Sequence, residues 1–92
     1  MDTRKLVGWN LRKLRVERGL TIEDLAGEAD VEYSYTAKVE RGVVNVSVDL
    51  LDRYAKVLKV RIGDLFADVK PGSAPPKPLK AGRRPTIARK KV

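Results

Sequence analysis

The chain has 92 residues, no cysteine, no histidine and a formal net charge of +8. This composition suits one small domain and excludes disulfides, thiolate or imidazole metal sites and every catalytic arrangement that needs His or Cys. Carboxylate- or lysine-based catalysis stays formally open, but no pattern asks for it, so the chain reads as a non-enzyme without cofactor or metal.

The first helical pattern runs from about Thr3 to Arg18, with Val7, Leu11 and Leu14 at the i, i+4, i+7 spacing of one buried face. Arg12, Lys13, Arg15 and Arg18 fall on the remaining faces or their borders. Gly19 is a natural stop, and Leu20 can pack back on the helix end. A second helix opens at Thr21, with Asp24 placed to complete a capping box and Glu23 beside the positive helix start. Its apolar face is Leu25, Ala26 and Ala29, small enough for another helix to come close.

Ala29-Asp30-Val31 leaves room only for a tight turn. A third helix then spans about 32–41, with Thr36 and Val39 facing inward alongside Val31. Tyr33, Ser34, Ala37, Lys38 and Arg41 are left outside, and Gly42 ends the helix. Two short helices joined by a tight turn, the second with a polar outer face, make a helix-turn-helix over about 21–41. After a loop around Asn45, Ser47 caps a fourth helix to about Lys59 that buries Leu51, Tyr54, Ala55 and Leu58. A last short helix near Ile62 to Ala67 brings Leu65 and Phe66 to close the core. No strand pattern competes.

From Lys70 the composition changes. Residues 1–69 carry twelve basic and twelve acidic side chains, and residues 70–92 carry eight basic and none acidic. The whole charge excess therefore lies in the tail. Pro71, Pro75, Pro76 and Pro78 disfavour helix there and give a linker of extended character, too polar to fold alone. The chain thus divides into a domain at 1–69 and a Pro-rich basic tail at 70–92, expected to be disordered. No apolar run reaches the length of a membrane span, and Met1-Asp2-Thr3-Arg4-Lys5 opens no signal peptide. A soluble protein of the cytoplasm, with no membrane partner, is expected.

Leu11-Arg12-Lys13-Leu14-Arg15, Gly19-Leu20-Thr21-Ile22-Glu23-Asp24-Leu25-Ala26 and Val39-Glu40-Arg41-Gly42 follow one another in a specific order and spacing. With Ser47, Leu51, Ala55, Leu58, Val60 and Asp64-Leu65-Phe66, they make residues 4–68 resemble the Xre/Cro family of phage-repressor-like helix-turn-helix domains. The resemblance implies an all-α, compact five-helix, lambda-repressor-like domain whose third helix enters the major groove of duplex DNA. It also implies a structural ion pair between Arg15 and Glu40. It implies a bacterial or phage regulator associated with the nucleoid.

Several positions depart from the family pattern. Ile22 stands where glutamine usually holds a phosphate, Asp30 where the turn has glycine, and Glu32 where Ser or Thr caps the third helix. Thr36 replaces an inward isoleucine, and Val46 a proline. The Asn45-Val46-Ser47 loop is similar to that of controller proteins of restriction–modification systems.

The resemblance maps base reading onto Glu32, Tyr33, Ser34, Ala37 and Lys38. The chemistry agrees in part: Lys38 can donate to guanine, Glu32 can accept from cytosine N4, Ser34 can serve either kind of partner, and the Ala37 methyl can touch thymine. Each has a plainer alternative. Lys38 otherwise holds a phosphate, Glu32 complements the helix dipole, and Tyr33 lies on a phosphate or packs on the domain. Candidate phosphate contacts are Arg12, Thr21, Tyr35, Arg41 and Lys56. In the tail, Arg83, Arg84, Arg89, Lys90 and Lys91 are candidates for DNA contact, with a partner protein as the alternative. One short helix reads few base pairs, so a homodimer on a palindromic operator is expected, with Val57, Ile62, Leu65 and Phe66 as interface or core residues.

The function expected is sequence-specific DNA binding as a transcriptional regulator, a repressor or autoregulator. Two alternatives are an antitoxin-like interaction module that also binds DNA, and an architectural DNA binder with little sequence preference.

Overall fold

The computed structural model describes residues 1–70 and 72. Helix α1 spans Thr3–Glu17, and its start is capped by the Asp2 carboxylate, which accepts from the Lys5 N–H at 2.9 Å. Gly19, at φ 73°, turns the chain back. Helix α2 spans Ile22–Ala29 behind a complete capping box. Thr21 Oγ1 accepts from the Asp24 N–H at 3.0 Å, and the Asp24 carboxylate accepts from the Thr21 N–H at 2.9 Å.

Asp30 ends α2 in the left-handed region, at φ 60° and ψ 48°. An aspartate tolerates that conformation better than most side chains, which explains how the turn dispenses with glycine. Helix α3 spans Tyr33–Arg41 and stops at Gly42, φ 74°. Helix α4, Val48–Leu58, begins on the Ser47 hydroxyl, which accepts from the Leu50 N–H, and ends on Lys59 at φ 58°.

The expected fifth helix is a 3-10 segment, Ile62–Phe66. Among the described residues there is no strand, and no helix is long and apolar enough to cross a membrane.

The core is one cluster fed by every element: Val7 and Leu11 from α1, Leu25 and Ala29 from α2, Val39 from α3, Leu51, Tyr54, Ala55 and Leu58 from α4, and Leu65 from the 3-10 segment. Each large side chain fully enclosed there contributes about 1.5–3 kcal/mol relative to exposure. Helix α1 is the spine, packed on α3, α4 and the 3-10 segment, while α2 packs on α3 and α4.

One expectation about the core fails and another holds only in part. Phe66 does not close it but stands 42% exposed, because a 3-10 segment turns Leu65 inward and its neighbour out. Leu14 lies only at the edge, and the enclosed positions of α1 include Gly8, Asn10 and Arg15 instead.

Candidate nucleic-acid interface

The outer face of α3 is built by its inner one. Thr36 and Val39 are buried, so helical geometry turns residues 33, 34, 37, 38 and 41 away from the core. Tyr33, Ser34, Lys38 and Arg41 are exposed and Ala37 is half-buried. Glu32, in the N-cap position, is exposed too, and its side chain makes no capping bond. All five residues expected to read bases therefore lie on or beside one accessible surface, which runs from the N-cap of α3 to Lys38 in its last turn.

Three polar contacts, four hydrogen bonds in all, hold that helix to the rest of the domain. At its C-terminal end, Arg15 Nε donates to Glu40 Oε2 at 2.7 Å and Arg15 Nη2 donates to Glu40 Oε1 at 3.1 Å. The two side chains are only 5% and 4% exposed, so this is a buried bidentate pair between α1 and α3. Arg15 Nη1 also donates to the Leu20 carbonyl at 2.9 Å, using a third donor of the guanidinium.

In mid-helix, the Thr36 and Tyr54 hydroxyls meet at 3.0 Å, both wholly enclosed. On the flank, the Tyr35 hydroxyl donates to the Asn45 carbonyl at 3.2 Å, tying α3 to the loop that follows it. Tyr35, expected on a phosphate, is thus half-buried and already engaged within the domain.

Backbone proximity adds a fourth restraint. A Cβ on Gly8 would stand 2.4 Å from the Glu40 carbonyl oxygen and 2.6 Å from that of Val39. Only a glycine lets α1 approach the end of α3 so closely. Gly42 does the reverse, lying against the Lys5 backbone, so the first turn of α1 flanks the end of α3 beside Arg41.

The other expected phosphate contacts disperse. Thr21 sits half-buried at the start of α2 as its N-cap. Arg12 is half-buried, with its Nε enclosed and without a hydrogen-bond acceptor among the described residues. Lys56 is drawn elsewhere: it pairs with Asp52 at 3.1 Å and lines a hollow with Glu28, Ala29, Asp30, Arg53 and Val57. Both side chains of that pair are largely exposed, 77% and 53%, so the bridge is weak and leaves the ammonium accessible.

Of the dimer candidates, Leu65 is wholly enclosed and offers no surface. Val57 and Ile62 are half-buried, and Phe66 is exposed. The tail candidates Arg83, Arg84, Arg89, Lys90 and Lys91 lie outside the described residues. No group of three or more carboxylates among the described residues is placed to hold a metal ion.

Some residues that position the interface escape a reading of apolar periodicity. Asn10 is buried and its amide donates to the carbonyls of Leu65 at 3.1 Å and Ala67 at 2.8 Å, pinning the end of the 3-10 segment to α1. Its place three residues after Val7 and four before Leu14 was the available signal. Arg53 donates to the Asp30 carbonyl at 3.2 Å and steadies the turn between α2 and α3. No sequence spacing announces that bond.

The helix-turn-helix family profile matches residues 11–65. HTH-type transcriptional regulator DdrOP3 of Deinococcus deserti is 39% identical over 59 residues, a match that covers 64% of this chain and 46% of that protein. The chain thus spans about half the length of that relative. The HTH-type transcriptional regulator y4dJ of Sinorhizobium fredii is 42% identical over 60 residues, covering 65% of this chain and 78% of that protein. Among solved structures, the restriction-modification controller protein C.AhdI from Aeromonas hydrophila superposes with a TM-score of 0.67 at 36% identity, over 68% of this chain and 96% of that one.

Proposed function

The chain belongs to the helix-turn-helix family, and from that membership we propose that it is a non-enzymatic transcriptional regulator that binds duplex DNA sequence-specifically in the bacterial cytoplasm. One observation carries the reading. The outer face of α3 is exposed and polar, while its inner face is locked to α1, α4 and the following loop by directional bonds. A helix held that firmly, with Glu32, Tyr33, Ser34, Ala37 and Lys38 turned outward, is suited to the major groove.

Lys38 is the principal base reader in this proposal, because a lysine donates to the acceptor pair of guanine. Ser34, one turn earlier on the same face, takes the neighbouring base pair. Thr21, Arg12 and Arg41 hold phosphates on either side. The basic tail beyond Val69 supplies general attraction to the backbone, adding nearly one unit of salt dependence for each phosphate it neutralises. A chain ending at Val69 should bind more weakly and with a shallower salt slope.

The protein acts as a homodimer on a palindrome, since one α3 spans too few base pairs for an operator. Exposed Phe66 and half-buried Ile62 and Val57 support an interface at the end of the domain. Selection of bound sequences from random duplex DNA tests the reading as a whole. A two-fold symmetric consensus with half-sites about one helical turn apart is expected. Recovery of no consensus would leave only an architectural DNA binder.

A further inference from the structure

The α3 helix is attached by a mixture of directional and non-directional contacts, and only the directional ones can fix how far it is rolled about its own axis. Val39 packs into the apolar core, a non-directional contact that does not by itself set the roll of the helix. The Arg15–Glu40 pair grips one end of the helix from the α1 side. Thr36 lies one turn before Glu40, and its hydroxyl meets that of Tyr54 on α4 at 3.0 Å. These two grips pull from different helices at different heights, and together they leave the helix no free roll.

We propose that Tyr54 is a positioning residue for base discrimination: its hydroxyl, through Thr36, fixes the roll of α3 and so aims Ser34, Ala37 and Lys38 at the bases. This rests on the reading of α3 as the helix that meets DNA.

Both hydroxyls are fully buried, with 0% exposure. A shift that separates them leaves two enclosed polar groups unsatisfied, which makes the bond a steep restraint. The lever arm is long. Side-chain tips lie about 6 Å from a helix axis, so a roll of about 10° moves them by about 1 Å. Reading groups need placement to within about 0.5 Å. The bond also accounts for Thr36 at an inward position where an aliphatic side chain would serve packing alone.

The test compares the full chain with Tyr54→Phe, Thr36→Val and Thr36→Ser, measuring at one salt concentration the affinity for a selected sequence and for random duplex. Tyr54→Phe keeps the ring and removes only the hydroxyl. Its circular dichroism should match that of the wild type and its affinity for random DNA should stay within about 2-fold. Its affinity for the selected sequence should fall about 10-fold, as expected for one lost buried bond. Thr36→Val should behave alike, the double variant should be no worse than either, and Thr36→Ser, which keeps the hydroxyl, should retain the specific-to-random ratio.

A folded Tyr54→Phe or Thr36→Val with the wild-type ratio overturns the inference and leaves Tyr54 as packing. A wild-type ratio near unity overturns the reading of α3 itself, and this inference with it.

Discussion

Replacing Arg15 by alanine removes the grip between α1 and the end of α3. The partner left behind is a Glu40 carboxylate that is 4% exposed and loses both of its guanidinium donors. Breaking a buried pair from one side costs about 3–5 kcal/mol. The Leu20 carbonyl also loses its bond from Arg15.

In a domain of this size, each kcal/mol lowers the melting temperature by about 4–8 °C. Arg15→Ala should therefore melt about 12–40 °C below the wild type. The attribution to an orphaned charge has its own signature. The double variant Arg15→Met/Glu40→Leu, which removes both charges and fills the space, should regain most of the loss. Thermal melts followed by circular dichroism decide both points. An Arg15→Ala melt within about 4 °C of wild type would refute the reasoning, and so would a double variant no better than the single one.

Lys59→Gly should stabilise the domain by about 0.5–1 kcal/mol, since it relieves a left-handed conformation at an exposed helix end; an unchanged or lower melting temperature would show no strain there. Asn10→Ala should cost about 1–3 kcal/mol and speed amide exchange across residues 62–67, because two carbonyls lose their donor; uniform exchange would detach Asn10 from that role. Alkaline pH gives a signed prediction. Burial raises the Tyr54 hydroxyl above 10.0, against the lowering effect of the Thr36 bond and with help from Tyr35 and Glu40. The folded chain thus holds that proton more tightly than the unfolded one, so the contribution is complete below pH 10 and is lost as pH rises through the folded value. Stability should fall more steeply above pH 10 in the wild type than in Tyr54→Phe, and parallel denaturant curves would contradict this.

The local signals were strong in this sequence. Thr21 with Asp24, Ser47, Gly19 and Gly42 mark helix ends through chemistry that acts within four residues, and the structure places the boundaries there. The inward pairs Thr36 with Val39 and Leu51 with Tyr54 follow from periodicity. Relations between helices were harder to read. A buried arginine looks like any surface arginine until its carboxylate partner folds against it, and only the family resemblance suggested the pair.

Thr36 and Tyr54 each declared themselves as inward, yet nothing in the spacing says that their hydroxyls meet. Asn10 interrupts an apolar stripe and so passes for a surface residue. Phe66 fails for the opposite reason, since its bulk suggests core although a 3-10 turn leaves it outside.

Lys38 is the side chain at which base reading by the outer face of α3 is most directly tested. The decisive measurement is the affinity of Lys38→Ala for a selected operator and for random duplex at the same salt concentration. A lysine that donates to a guanine gives about 1–3 kcal/mol of discrimination, so the ratio should fall about 5- to 150-fold while random binding changes little. Equal losses on both DNAs would make Lys38 a phosphate contact and contradict the claim that α3 reads sequence through it.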